Sequence, residues 1–384
     1  MDGGPDVTRR PLAPAYRPDL VQHGLQLAAE VVVDRPQVLT GLLLGRGQRD
    51  PAGGPWPGGL VERARHPVSH AHSNNGAIGF CSRSGMITDM DLDDVLVLDG
   101  GLSNALEDRG LDLSSDLWTA RLLLDAPHQV AAVHRDYYRA GADVATTASY
   151  QASVPSLVAA GLSVAEAERV IVLSVELARR VRDEVASDTG RRLLVAASVG
   201  PYGAVLADGS EYRGRYGVSR AALRDFHAPR LELLASAGPD LLAVETIPDA
   251  EEAEVLVPLL DELGLPAWFS YSVAAGSTRA GQPLAEAFGV LAGSSAVVAA
   301  GVNCSAPAEV RAAVVTAVGV TGRPAVAYPN LGESWDSATH AWRGDASYDT
   351  ALATTWVAAG ARLVGGCCRV GPREIAQLAA VVGS

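Results

Sequence analysis

The chain has 384 residues, and all 31 of its basic residues are arginine, with no lysine anywhere. That excludes lysine Schiff bases, hence pyridoxal-phosphate enzymes and imine-forming aldolases, and it excludes G-x-x-x-x-G-K-[ST] phosphate loops and kinase-type strand lysines. Forty-four acids give a formal net charge of −13, which argues against a nucleic-acid partner and favours a small, cationic molecule.

Residues 1–85 hold 13 Gly and 9 Pro, a denser supply than in the remaining 299 residues. They carry 9 Arg against 7 acids, which leaves a net charge of −15 for the rest of the chain. Stretches such as DPAGGPWPGG at 50–59 are loop-like and cannot build a packed core. One apolar patch, 25–44, suits a helix or a strand pair. Met86 and Met90 are the only methionines besides Met1, and a regular pattern starts directly after them. The expectation is a low-complexity extension over 1–88, disordered or the product of an over-long start site, with a small regulatory or packing extension as the alternative. The folded domain is expected over 89–384.

From residue 94 strands alternate with helices. Short β-rich runs fall at 95–98, 143–147, 193–199, 241–245, 267–273, 296–303, 325–329 and 362–366. Helical patterns lie between them at 127–139, 164–185, 221–235, 250–263, 284–291, 308–318 and 350–358, with a last one at 372–382. Eight strand–helix units predict an α/β fold, a (β/α)8 barrel of the TIM type. A doubly wound sheet is second, because the first strand lacks the G-x-G-x-x-G fingerprint. No stretch of about 18 apolar, charge-free residues occurs, so no membrane span is expected. No secretory signal is recognisable at the N-terminus. Four cysteines, Cys81, Cys304, Cys367 and Cys368, suit a reduced, cytoplasmic setting.

A barrel of this kind carries its functional residues at the C-terminal ends of its strands. The first strand ends at Asp99, the second at Thr147, the fourth at Glu245, the sixth at Asn303-Cys304 and the eighth at Cys367-Cys368. Three cysteines therefore reach one face. The sixth and eighth strands flank the seventh, so their ends stand about 10 Å apart before side chains lean inward. Three thiolates there suit zinc, with a fourth position left open. A strained vicinal disulfide, or chance, is the other reading of Cys367-Cys368. Asp99-Gly100-Gly101 also reads as a plain turn, and Glu245 as a helix-capping acid. Tyr202 and Tyr328 read as packing residues, and His128, His134 and His227 as surface or core residues of helices.

Several segments together resemble the homocysteine S-methyltransferase family. They are VLDGGLSNALEDRG at 97–110, TTASYQAS at 146–153, SVGPYGAVLADGSEYRG at 198–214, VETIPDAEEA at 244–253, GVNCSAP at 301–307, AYPNLGESWD at 327–336 and GGCCRVGP at 365–372. GVNC followed by GGCC about 60 residues on is the most specific of them. The match runs from about Val95 to the C-terminus. It implies a zinc-dependent enzyme that methylates homocysteine to methionine, with Zn2+ held by Cys304, Cys367 and Cys368. It also implies that Glu245 holds the substrate's amino group and that Asp99, Thr147 and Asn303 line the pocket. The 198–214 segment is similar to the branch that uses S-methylmethionine or S-adenosylmethionine. The resemblance implies small-molecule partners and a monomer or small homo-oligomer. Another thiol or selenol acceptor, another donor such as betaine, and a non-catalytic zinc-binding barrel are the alternatives.

Overall fold

The computed structural model describes residues 92, 94–113, 118–332, 334–336, 341–344 and 346–383. The extension expected over 1–88, with Cys81 and the 25–44 patch, lies outside the described residues. Within them stands a barrel of eight parallel strands: β1 (Leu96–Val97), β2 (Val144–Thr146), β3 (Leu194–Val199), β4 (Leu241–Ile247), β5 (Ala267–Tyr271), β6 (Val297–Asn303), β7 (Ala325–Tyr328) and β8 (Ala361–Val364). Each strand pairs with its neighbours in the chain, and β8 pairs with β1. A parallel bridge between Leu98 and Val144 brings β1 to β2, so the sheet closes on itself. This is the (β/α)8 architecture that the strand–helix alternation predicts.

The helices are α1 (Leu102–Glu107), α2 (Trp118–Asp125), α3 (Pro127–Ala140), α4 (Val154–Ala159), α5 (Val164–Thr189), α6 (Arg220–Ser236), α7 (Ala250–Leu263), α8 (Leu284–Leu291), α9 (Pro307–Thr321), α10 (Leu352–Ala358) and α11 (Pro372–Val382). Their ends follow local chemistry. The Ser163 hydroxyl accepts from the Glu166 backbone N–H at 3.3 Å, and the Glu166 carboxylate accepts from Ser163 N–H at 2.8 Å, a reciprocal cap that starts α5. The same helix stops at Gly190 with φ 69°, a left-handed conformation that glycine adopts without strain. β3 and β4 are buried along their whole length because helices cover the outside and side chains fill the inside. Trp268, Trp356, Tyr137, Tyr138 and Tyr271 are the bulkiest aromatic side chains buried in the domain.

Strand 4 runs two residues beyond the expected end, to Ile247. Glu245 is a strand residue, placed where the β4–β5 register shifts between Val244 and Ile247. Two antiparallel hairpins, Val273–Ala274 with Ser277–Thr278 and Ser334–Asp336 with Ala341–Arg343, decorate the C-terminal face.

Candidate active site

Three thiols meet at the C-terminal mouth. Cys304 leaves β6 with φ 47°, a left-handed conformation rare for a side chain with a Cβ. Cys367 and Cys368 follow β8. The Cys304 Sγ stands 2.7 Å from Cys367 Sγ and 3.6 Å from Cys368 Sγ, and all three sulfurs lie within 4.8 Å of one another. The turn that presents the pair depends on Gly366. A Cβ there would sit 2.1 Å from Val370 Cγ1, so any side chain would push the loop off its packing. Hydrogen bonds from Cys367 and Cys368 hold the Cys304 thiol well below its ordinary range. Contact with Cys304 pushes the Cys367 and Cys368 thiols up.

The donor set fits a soft, tetrahedral metal ion. Sulfurs bound to one zinc ion at about 2.3 Å stand roughly 3.8 Å apart. The Cys304–Cys368 separation already matches, and the Cys304–Cys367 pair would open by about 1 Å. Three thiols leave a fourth ligand position for a substrate.

Two carboxylates are buried beside the thiols. Glu245 is 8% exposed and accepts hydrogen bonds from Ser198 Oγ and, at 3.2 Å, from the Tyr328 hydroxyl. Tyr328 in turn accepts from Trp268 Nε1 at 2.9 Å. Burial raises the Glu245 pKa to about 7; Cys304 adds to the rise, and the Ser198, Tyr328 and Arg230 interactions oppose it. Asp99 is 3% exposed and accepts from the Thr146 amide at 2.8 Å and the Thr146 hydroxyl at 2.7 Å. Burial raises it to about 8 against those bonds.

Asn303 and Thr147 lie in the same mouth, with their polar atoms already engaged. Asn303 Oδ1 accepts from the Thr246 amide at 2.7 Å and from Ser270 Oγ at 2.8 Å, and its Nδ2 donates to Thr246 Oγ1 at 2.8 Å. Those bonds hold Thr246 at φ 60°, a costly conformation for a β-branched residue, and so fix the exit of β4 beside Glu245. Thr147 Oγ1 pairs with Ser149 Oγ at 2.7 Å and accepts from the Ser198 amide at 3.0 Å.

Comparison with known proteins is decisive here. The family model "Homocysteine S-methyltransferase" matches residues 96–382, the whole described barrel. The chain belongs to the homocysteine S-methyltransferase family. It is 46% identical over 298 residues to the homocysteine S-methyltransferase of Escherichia coli, covering 76% of this chain and 96% of that one. It is 43% identical over 295 residues to the Bacillus subtilis homocysteine S-methyltransferase YbgG, covering 74% of this chain and 94% of the relative. The crystal structure of the homocysteine methyltransferase MmuM from E. coli, in its metallated form, superposes with a TM-score of 0.70 at 43% identity, covering 77% of this chain and 99% of that one. A metal-binding member of the family thus shares this fold, and this homocysteine S-methyltransferase family member carries the three-thiol cluster at its mouth.

The sequence reading passed over several groups that complete the mouth. Tyr212, in the loop after β3, places its hydroxyl 3.9 Å from Cys304 Sγ, and the Arg279 guanidinium lies 5.6 Å from its ring centroid. Arg230 of α6 is 1% exposed and donates to the carbonyls of Gly200 at 3.0 Å, Ser149 at 2.7 Å and Tyr150 at 2.6 Å, tying the loops after β2 and β3 together. Glu252 accepts from the Tyr202 amide at 2.6 Å and the Tyr216 hydroxyl at 3.0 Å, and pairs with His227 Nε2 at 2.8 Å. Tyr328, read as packing, orients Glu245. None of these groups follows a motif with metal or acid–base spacing; only the fold brings them to the site.

Proposed function

We propose that this chain transfers a methyl group from a sulfonium donor, S-methylmethionine or S-adenosylmethionine, to the thiol of L-homocysteine, forming methionine. The observation that carries the reading is the meeting of three thiols and a buried, oriented carboxylate at one mouth. Zn2+ is the metal we assign to Cys304, Cys367 and Cys368, in a reduced, cytoplasmic setting where those thiols stay free. When bound, zinc supplies thiol activation, drawing off the proton so that a thiolate faces the donor.

The chain's own residues do the rest. Glu245 receives the homocysteine ammonium, and its charge-assisted hydrogen bond fixes where the sulfur points. The Ser198 and Tyr328 hydroxyls hold that carboxylate in one orientation, a pre-organisation that limits the entropy lost on binding. Asp99 sets the β2 exit through Thr146, while Thr147 and Asn303 brace the pocket wall by the bonds described. As transfer proceeds, the homocysteine sulfur forms a bond to the methyl carbon. The donor's S–CH3 bond breaks with its electron pair staying on sulfur, and a neutral thioether leaves. The thiol proton passes to solvent.

The test is methionine formation from homocysteine with S-methylmethionine, S-adenosylmethionine or betaine, before and after chelation. Turnover with a sulfonium donor, abolished by chelator and restored by zinc, is expected. Full activity in the chelated protein, or in a Cys368→Ser variant, would overturn the site assignment. Turnover with betaine alone would overturn the donor class.

A further inference from the structure

Among the described buried carboxylates, Glu211 alone holds an orphaned oxygen. It sits in the loop after β3, within the short 3-10 turn Ser210–Tyr212, and is 7% exposed. Its Oε2 is buried and finds no hydrogen-bond partner among the described residues. The neighbouring cation gives it no hydrogen bond: Arg213 donates to Asp208 at 3.3 Å and to Ser210 Oγ at 2.9 Å, and its side chain is largely exposed. Asp99, Glu245 and Glu252 each have their carboxylates bonded by hydroxyls or amides.

The place of this acid is specific. The adjoining Tyr212 hydroxyl reaches Cys304 Sγ, and Glu211 is close enough to Cys304 and to Tyr150 for their charges to act on one another. Burial raises its pKa to about 7, with Asp208 and Cys304 adding to the rise and Arg213 opposing it. A half-compensated carboxylate of this kind is costly until a cation arrives.

We infer that Glu211 is the group that recognises the sulfonium centre of the methyl donor, a reading that rests on the methyl transfer proposed above. A sulfonium carries a fixed positive charge and no N–H or O–H. It is recognised by charge and by aromatic surface, without hydrogen bonds. A carboxylate oxygen with no hydrogen-bond donor, adjoining the Tyr212 ring whose hydroxyl reaches Cys304, has those properties. Glu245 remains for the acceptor's ammonium, so the two carboxylates divide the two substrates.

The chemistry sets the sign of the effect. The sulfonium charge is full in the bound donor, partly lost in the transition state and absent in the departing thioether. Glu211 therefore stabilises the donor complex at least as much as the transition state. An interaction of that kind lowers KM and does not raise kcat.

The experiment uses the zinc-loaded full chain and Glu211→Gln. The amide is isosteric, and Oε2 has no bond to lose, so the variant is expected to melt no lower than the wild type. With S-methylmethionine and homocysteine, the donor KM should rise about tenfold, while kcat and the homocysteine KM hold within about twofold. Calorimetric titration of S-methylmethionine alone should show the same roughly tenfold loss of affinity. Unchanged donor affinity, or equal rises in both KM values, would overturn the assignment of Glu211. A wild type that binds S-methylmethionine without turning it over would overturn the transfer reading, and the titration would still decide for or against Glu211.

Discussion

At the N-terminal end of the barrel, Asp143 accepts from the Val97 amide at 3.0 Å and from Arg191 at 2.8 Å, and Asp240 accepts from the Val195 amide at 2.7 Å and from Arg182 at 2.8 Å. Burial pushes Asp261 up, yet bonds from Ser294, Ser295 and Ala296 together hold it below its usual range. At the C-terminal mouth the same residue types fare differently. Burial lifts Asp99 to about 8, and Glu211 and Glu245 to about 7, while Thr246 and Cys304 are held at positive φ. One end saturates its acids and gains stability; the other leaves them under-compensated until charged ligands arrive. This is the division of labour expected of a (β/α)8 enzyme.

The comparison breaks most visibly at the thiols. Cys368→Ala should lower turnover by at least about 10^3-fold, since a metal ligand supplies several kcal/mol of activation. Its melting temperature should move little, because Cys368 is only half-buried. Steady-state methionine formation, read beside metal content, checks it; a variant that keeps both would make the cluster structural. Next comes Glu245→Gln. Loss of the charge-assisted bond to the ammonium should cut kcat/KM for homocysteine by about 10–100-fold. Denaturant melts should show stability unchanged or raised, because the amide relieves a buried acid.

Arg191→Met reverses the pattern at the other end. Arg191 donates to Tyr138 O at 2.7 Å, Gly141 O at 2.9 Å, Ala142 O at 2.8 Å and Asp143 Oδ1 at 2.8 Å. Removing it should lower unfolding free energy by about 1–3 kcal/mol, measured by urea denaturation, because carbonyls and a carboxylate lose their donor. Both KM values and kcat should stay put. A matching loss of activity per folded molecule would mean that the two ends are coupled.

The layout of the barrel was legible because buried parallel strands form continuous apolar runs and amphipathic helices keep a 3.6-residue period. All eight runs correspond to strands, and the helices at 250–263, 284–291 and 372–382 keep their expected ends. The short helices α1, α2 and α4 are absent from the sequence reading, although α8 and α10, no longer than α2, are present in it. Cys304, Cys367, Cys368 and Glu245 could be read because they end strands within distinctive motifs. Glu211 and Arg230 could not. A sequence shows an acid in a loop or an arginine in a helix, but not that the first loses its partners on burial or that the second finds three carbonyls from two other loops.

The finest test concerns pH. Burial outweighs the bonds to Thr146 and raises Asp99 from its ordinary 3.8 to about 8 in the folded chain. Between those values the folded chain holds a proton that the unfolded chain has released. Stability from this group is therefore full below the unfolded pKa and falls as pH rises toward 8, by up to about 1.4 kcal/mol per pH unit. His134 acts with the opposite sign. Burial without a hydrogen-bond partner among the described residues lowers it to about 4, so its contribution is lost as pH falls from 6.5 toward 4. The window from pH 6.5 to 8 thus separates the two. Asp99→Asn should already be the more stable of the two at pH 6.5, since an amide reproduces the protonated acid in the folded chain and leaves the unfolded chain no proton to release. Its margin should widen further toward pH 8, as urea midpoints resolve. Equal slopes for wild type and variant across that window would mean that Asp99 is already ionised, and that the mouth compensates its acids as fully as the opposite end does.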